Sequence, residues 1–368
     1  MILTSNSYAH YPFILGYDFY YFWSAGRLIL SGQNFYDSNL LRDQLLQIGW
    51  PVDSVVPGLP YLPTVSWLYA VFALLPFKLA LPLWLTISSF VIFFSSWRFI
   101  SITKSVLKER ATFNVNDALW ATLCFPWMIP NLIWGQTNCL VLLSTVLFLE
   151  SYLRGRTFLS GVVLSLAIVK PHLAFLFILA AVIRFIRERK FSAIYGLIFG
   201  TLLQLLGSAA IYPEGFSFYI KFAPQIIGTM TDIPGASFGQ TCSYYLRIPW
   251  VGYLMSVIGC AAATYIATFK QLDWIRLSFI AIALSLLLAP YNWSHGFIVL
   301  LPWYLDYLPN RFGSKLSAKQ KYLMTGVACV GVVVTLQTYL EPVMSLVPLL
   351  VSASLAIWLQ RRIRNEHP

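Results

Sequence analysis

Long apolar stretches separated by short polar breaks make up most of the chain. A helix needs about 20 apolar residues to cross about 30 Å of hydrocarbon, and eleven stretches reach or approach that length. They lie at 83–100, 114–133, 138–153, 157–170, 171–186, 192–212, 248–268, 276–290, 296–309, 322–340 and 343–360. The pattern predicts an all-α polytopic membrane protein, in which 1–368 form a single membrane domain and 83–360 the transmembrane bundle.

The apolar stretch 61–77 is too short to be a twelfth span. Pro63 and Pro76 bracket twelve residues, which as helix cover about 18 Å. We therefore expect a re-entrant or half-depth segment that packs against protein.

Residues 1–60 are more polar and predict a lobe on the outer face. Two runs within it have helical spacing, one opened by Asp18 and closed by Ser31-Gly32, the other following Asp37 and ending at Gly49. The first run is rich in aromatic residues, which favours an amphipathic helix lying in the membrane interface. An N-cap role is the simpler explanation for both aspartates.

Composition supports the membrane assignment: 58% of the residues are hydrophobic, 11% are charged, and the mean hydropathy is +0.69. A soluble protein carries about 25% charged residues, so a water-soluble globule is excluded, and so much apolar surface also excludes disorder. The net charge of +11 reflects basic cytoplasmic loops rather than nucleic-acid binding.

The basic residues also predict the direction of the spans. If the stretch 157–186 forms two short spans meeting at Lys170-Pro171, 18 of the 25 Lys and Arg residues lie in cytoplasmic loops and six on the outer face. One long kinked helix would destroy this bias. The arrangement places the N-terminus outside and the C-terminus inside, so we expect either that the second span inserts the chain or that one helix is missing before the first span.

Polar residues gather at the predicted outer ends of the spans. The clusters are Gly135-Gln136-Thr137-Asn138, Lys170-Pro171-His172, the long loop 213–247, and Tyr291-Asn292-Trp293-Ser294-His295. A lysine in an apolar run is costly and usually functional, so Lys170 is the strongest candidate, and we expect it to bind an anion together with His295. Simpler alternatives stay open: Lys170 snorkels to headgroups, His295 completes a turn, Arg247 anchors the interface, and Gln136 and Asn138 close a helical hairpin.

Six short motifs, in order along nearly the whole chain, resemble glycosyltransferase family 87. They are Gly16-Tyr17-Asp18-Phe19 with Ala25-Gly26-Arg27 and Tyr36-Asp37, Tyr61-x-Pro63, Trp134-Gly135-Gln136-x-Asn138, Gly161 through Lys170-Pro171, Ser243-Tyr244 before Leu246-Arg247, and Pro290-x-Asn292-Trp293-x-His295. Members begin with a first transmembrane helix that is absent here, and their usual double proline is reduced to Pro63-Thr64. With that helix, the resemblance implies a C-type glycosyltransferase fold of twelve spans.

The resemblance also implies a mechanism. A sugar, with mannose favoured, would pass with inversion from a polyprenyl-phosphate donor to a glycolipid or glycan hydroxyl on the outer face of the plasma (inner) membrane. Asp18 would be the general base, Lys170, His295 and Arg247 would bind the donor phosphate, and a second group would shape the sugar and acceptor pocket. That group comprises Tyr61, Gln136, Asn138, Asn292 and Trp293.

We expect no cofactor and no metal, since the leaving group is already a phosphate held by cations and the chain has no Asp-x-Asp pair. The expected partners are the lipid donor, the acceptor and the bilayer, without nucleic acid, and the sequence leaves the oligomeric state open. The alternative function is a polytopic transporter or lipid flippase, but no paired repeat with matching interrupted helices is visible.

Overall fold

A computed structural model describes residues 15–51, 59, 61–106, 114–231, 235–248, 250–312 and 315–338. The helices are α1 (Tyr17–Leu30), α2 (Ser38–Gln47), α3 (Ser66–Ala73), α4 (Phe77–Val106), α5 (Val115–Leu123), α6 (Met128–Ile133), α7 (Asn138–Leu153), α8 (Thr157–Leu164), α9 (Pro171–Arg187), α10 (Phe191–Ile211), α11 (Gly215–Thr231), α12 (Phe238–Leu246), α13 (Trp250–Phe269), α14 (Trp274–Leu288), α15 (Leu301–Phe312) and α16 (Ala318–Thr338). Short 3-10 segments lie at Pro63–Val65, Ser165–Val169 and Ser294–Leu300. Across these ranges there is no β-strand, so the all-α prediction is confirmed.

Three of the described helices are long and apolar enough to cross a membrane: Phe77–Ser105 within α4, and the whole of α10 and α13. Each carries large apolar side chains that are mostly exposed, such as Phe90 at 67%, Leu206 at 66% and Val257 at 64%. Apolar surface of this extent is stable only against lipid or another protein. The chain is thus a membrane protein, while the count of eleven spans stays a prediction and segment 343–360 lies outside the described residues.

Helix α1 forms where the sequence predicts it, but its environment differs from the prediction. Ten of its 14 residues are buried, so it does not present one apolar face to the membrane interface. It packs on α3, where the ring of Phe22 stacks on that of Tyr69 with centroids 5.0 Å apart. Gly26 permits this approach, because a Cβ there would lie 2.2 Å from the Tyr69 backbone oxygen. Aromatic residues around most of the helix therefore reflect burial.

The two aspartates that open these runs have different structural roles. Asp37 is the N-cap of α2, and its carboxylate accepts a hydrogen bond of 2.9 Å from the Asn39 backbone N–H, which confirms the capping prediction. Asp18 is the second residue of α1, and the N-cap position belongs to Gly16, which makes no side-chain cap. A capping role for Asp18 is therefore wrong.

The chain leaves the helical conformation at Lys170, between the 3-10 segment Ser165–Val169 and α9. Lys170 has φ −137° and ψ 77°, as expected for a residue before proline, where the pyrrolidine ring disfavours α geometry. The stretch 157–186 is therefore two helices meeting at Lys170-Pro171, and not one kinked helix. Ahead of this break, α8 packs closely on α10, because Gly161 brings the two backbones together.

Two other segments differ from the sequence prediction. The stretch 114–133 is divided into α5 and α6, with Pro126 in the break, because proline cannot donate a backbone hydrogen bond within a helix. The segment 213–247 contains α11 and α12 in place of an irregular loop. Ser237 caps α12 by accepting a hydrogen bond of 3.0 Å from the Gln240 N–H, and this Ser-x-x-Gln spacing is the sequence signal that was missed.

The close contact of α1 with α3 predicts a stability difference between two glycine variants. We expect Gly26→Ala to lower the stability by about 1–3 kcal/mol, the usual cost of overpacking, because its Cβ meets backbone atoms of Tyr69. Gly207→Ala in α10 is the matched control, since a Cβ there meets nothing within 4 Å. Thermal unfolding in one detergent compares them, and equal midpoints would contradict the packing of α1 on α3.

Candidate active site

The N-terminus of α1 is docked onto the turn that follows α6. The Gly16 N–H donates to the Ile133 oxygen at 2.6 Å, and the Asp18 N–H donates to the Trp134 oxygen at 2.9 Å. Gly135, with φ 64°, forms this turn, and a Cβ there would lie 2.9 Å from the Cβ of Phe19. Two of the predicted motifs, Gly16 to Phe19 and Trp134 to Asn138, are therefore one structural unit.

The residue after Gly135 joins the two candidate charges of the site. The Nε2 of Gln136 donates a hydrogen bond to Oδ2 of Asp18, and its Oε1 accepts one from the Nζ of Lys170. Gln136 is 3% exposed and Lys170 2% exposed, whereas Asp18 is only half-buried. The predicted base and the predicted phosphate ligand thus lie on opposite ends of one buried amide.

Lys170 is fully inside the protein, so it does not snorkel to headgroups. Its ammonium lies 5.4 Å from the ring centroid of half-buried Tyr61, a distance at which the ring face attracts a cation. Burial of an unpaired ammonium is expensive. The carboxylate of Asp18, the oxygen of Gln136 and the ring of Tyr61 together compensate for that cost.

The carboxyl of Asp18 has an altered proton affinity. Burial raises the pKa of Asp18 above its ordinary value of 3.8, and the neighbouring Lys170 and Gln136 act in the opposite direction. A general base works best when its pKa lies near the working pH. The raised pKa makes Asp18 a better proton acceptor than an ordinary exposed aspartate. Its partly accessible surface allows a substrate to reach it.

A second group of predicted residues lies beside this cluster. Asn138, at the start of α7, donates from Nδ2 to the backbone oxygen of His295 at 3.0 Å. Both side chains are buried, and within the described part of the chain neither the Oδ1 of Asn138 nor the Nδ1 of His295 has a hydrogen-bond partner. The Trp134 ring lies 6.4 Å from the His295 ring, which connects this pair to the turn that holds Asp18. Unsatisfied buried polar groups are costly and are available to a ligand.

Helix α12, which lies where the sequence predicts a loop, supports the segment that carries His295. The Asn292 N–H donates to Oε1 of Gln240 at 2.8 Å, and the Ala236 N–H donates to the Asn292 oxygen at 2.7 Å. The Asn292 side chain is 1% exposed and donates to the Leu286 oxygen at 3.2 Å. Asn292 therefore holds the loop in place, and its role in the sugar pocket stays a prediction.

Two predicted site residues remain, Trp293 and Arg247. Trp293 is half-buried, and its backbone N–H donates to Oδ1 of Asn292 at 2.9 Å. Arg247 is exposed at the C-terminal end of α12, with φ 56°, so the structure does not bring it into the buried cluster with Lys170 and His295.

His172, which belongs to a predicted polar cluster but has no predicted role, also lies here. The His172 ring lies 4.5 Å from the Tyr291 ring, which joins the start of α9 to the His295 segment. Its position two residues after Lys170 was the available signal. Among the described residues, no group of three or more His, Cys, Asp or Glu side chains is placed to hold a metal ion.

Comparison with known proteins identifies the family. The model of glycosyltransferase family 87 matches residues 60–297, which is more than half of the chain. The chain belongs to glycosyltransferase family 87. It is therefore a membrane glycosyltransferase, which favours transfer chemistry over the transporter alternative. Searches of curated proteins and of solved structures found no match.

The extent of the match affects what it says about the site. It includes Gln136, Lys170 and His295, but Asp18 and the rest of α1 precede it. Asp18 is therefore connected to the family region by its hydrogen bonds to Trp134 and Gln136, and not by the match itself.

The docked turn predicts a difference between two family 87 variants that carry the same backbone strain. Gly135 and Gly155 both have positive φ, 64° and 75°, so alanine costs about 1–2 kcal/mol at either position. Only at Gly135 does the added Cβ also meet Phe19 and Gly16. We expect Gly135→Ala to be less stable than Gly155→Ala.

Gly135→Ala should also lose transferase activity, by at least about tenfold, because it displaces Asp18. Unfolding midpoints and transfer rates, measured side by side for the two variants, check this expectation. Equal loss in both would mean that the turn does not position Asp18.

Proposed function

We propose that this protein transfers a hexose or pentose, with mannose favoured, from a polyprenyl-phosphate sugar to a hydroxyl of a glycolipid or glycan. The single observation that carries the proposal is the buried Gln136 amide, which joins the Asp18 carboxylate to the Lys170 ammonium in a chain of family 87. A base beside a cation is what this reaction requires. The proposed location is the extracytoplasmic side of the plasma (inner) membrane.

The proposed reaction is a direct displacement. Asp18 accepts the proton of the acceptor hydroxyl, whose oxygen lone pair forms the new bond to the anomeric carbon. The bond from that carbon to the phosphate oxygen breaks, and its electron pair leaves with the polyprenyl phosphate. One displacement inverts the anomeric centre, and the transition state has oxocarbenium character, as in glycoside hydrolysis.

The cationic part of the site stabilises the leaving group. Lys170 provides a positive charge inside a water-poor environment, where it acts more strongly than in solvent. The unpartnered Nδ1 of His295 and Oδ1 of Asn138 are the groups proposed to contact the phosphate or the sugar. We leave Arg247 out of the phosphate site because its side chain is exposed, and this stabilisation by protein groups means that the proposal requires no metal.

Replacing the base tests the proposal. Asp18→Asn keeps the size of the side chain and one acceptor oxygen for Gln136 but removes the base, so transfer should fall by about 10²–10⁴-fold, with folding and donor binding retained. The measurement is transfer by the purified protein from a panel of polyprenyl-phosphate mannose, arabinose, glucose and galactose to glycolipid acceptors.

Asp37→Asn is the matched control for this substitution, because asparagine caps a helix as well as aspartate does. It should transfer at the wild-type rate. Full activity in Asp18→Asn, or equal loss in both variants, would remove Asp18 from the mechanism.

The pH dependence provides a separate prediction. Asp18 accepts a proton only when it is ionised, so kcat/KM should fall as the pH drops through its pKa. That acid limb should lie above pH 3.8, because burial raises the Asp18 pKa from that value. Lys170 lowers this pKa, so Lys170→Met should move the limb to higher pH. A limb at or below 3.8, or one that Lys170→Met moves to lower pH, would contradict the assignment.

A further inference from the structure

The amide of Gln136 can adopt only one orientation between its neighbours. Its NH₂ group faces the Asp18 carboxylate and its oxygen faces the Lys170 ammonium. An amide has donors at one end and acceptors at the other, so a flip would place donors against the ammonium and an acceptor against the carboxylate. The two charges therefore fix the amide, and the amide in turn fixes both charged groups.

The backbone around Gln136 is held from several sides. The Gln136 N–H donates to the Asn131 oxygen at 3.2 Å, and the Gly135 oxygen accepts a hydrogen bond of 2.7 Å from the buried indole of Trp84. With its side chain 3% exposed and both ends of the amide engaged, Gln136 is poorly placed to bind a sugar directly. The sequence predicted a sugar-pocket role for it, and the geometry points to another.

The hydrogen bonds of Gln136 leave one acceptor oxygen on Asp18 and N–H donors on Lys170. One carboxylate oxygen of Asp18, Oδ2, is occupied by Gln136, while the described part of the chain provides no hydrogen bond to Oδ1. The Lys170 ammonium has three N–H donors, and Gln136 accepts one of them. An oxygen thus remains for the acceptor hydroxyl, and donors remain for a phosphate.

A direct ion pair between Asp18 and Lys170 would hinder both proton acceptance by Asp18 and phosphate binding by Lys170. An ammonium in contact with a carboxylate lowers the carboxyl pKa, by about one to three units for a close pair, and weakens the base. The same contact would occupy the cation that the donor phosphate needs. A neutral amide of this length between the two groups keeps them electrostatically coupled without letting them neutralise each other.

We infer that Gln136 is a positioning residue, a role that rests on the proposed function. Its amide holds the Asp18 carboxylate and the Lys170 ammonium apart and orients both, so that one can accept the acceptor proton while the other binds the leaving phosphate.

The decisive variant is Gln136→Glu, which is isosteric and replaces the neutral amide by a second carboxylate. The new carboxylate pairs with Lys170 and repels the ionised form of Asp18. The acid limb of kcat/KM should therefore move up by at least about one pH unit. The KM for polyprenyl-phosphate mannose should also rise, by about tenfold, because the ammonium is occupied.

Gln136→Leu tests orientation without adding a charge. It removes both hydrogen bonds at similar side-chain volume, and kcat should fall by about 10²-fold, since small displacements of reacting groups have effects of this size. If Gln136→Glu does not fold, Gln136→Asn replaces it. Its amide is one methylene too short to reach both partners, so kcat should fall at least about tenfold.

Gln204→Leu is the matched control. Gln204 in α10 is also a buried glutamine, 8% exposed, and its Nε2 donates to the Ser165 oxygen at 2.9 Å. Within the described part of the chain it makes no hydrogen bond to Asp18, Gln136 or Lys170. Loss of the bond to Ser165 should lower the unfolding midpoint while the acid limb and the donor KM keep their wild-type values. A purely structural role for Gln136 would make its variants behave like this control.

The outcomes separate this inference from the proposed function. If Asp18→Asn is inactive but Gln136→Glu keeps the wild-type acid limb and donor KM, the positioning role is wrong and the transfer mechanism stands. Wild-type kcat in Gln136→Leu or Gln136→Asn would overturn the inference equally. If Asp18→Asn itself is fully active, the proposed function fails, and the inference fails with it.

Discussion

The ammonium of Lys170 is enclosed by protein between two apolar helical segments, and the structure around it depends on compensating that charge. A buried cation without a partner destabilises a folded chain strongly. The carboxylate that provides the balance belongs to α1, which is far away in sequence, and Gln136 connects the two. The docking of α1 onto the turn after α6 is therefore both a packing contact and an electrostatic requirement.

This constraint explains which features were predictable from the sequence. Pro171 together with the distribution of the basic residues indicated the break at Lys170-Pro171, and the Asp37 cap followed from its position before a helical run. Lys170 was conspicuous because lysine is rare in an apolar stretch. The sequence does not predict which helices pack against one another. Periodicity and aromatic content predict an amphipathic helix in the membrane interface for the run that Asp18 opens, whereas its aromatic side chains pack against α3, α4 and Trp50.

Other errors have local physical causes. The apolar residues on both sides of Pro126 predict one span at 114–133, where the structure has two helices. The weak periodicity of 213–247 predicts a loop, although Ser237 and Gln240 have capping spacing. Arg247 was grouped with the phosphate ligands by motif, but it ends α12 with an exposed side chain. The family resemblance predicts Gln136 in the sugar pocket, and a sequence pattern cannot show that both ends of its amide are engaged.

The central claim is that Asp18 and Lys170 form one site for a phosphate-linked sugar. An experimental structure with a bound non-hydrolysable polyprenyl-phosphate sugar analogue tests it most directly, through the distances from the phosphate oxygens to the Lys170 Nζ and from the anomeric carbon to the Asp18 carboxylate. The account predicts a phosphate oxygen within hydrogen-bond distance of Nζ, about 3 Å, and the Asp18 carboxylate facing the anomeric carbon across the space for one acceptor hydroxyl. A phosphate bound away from Lys170, with Asp18 remote from the sugar, would contradict it.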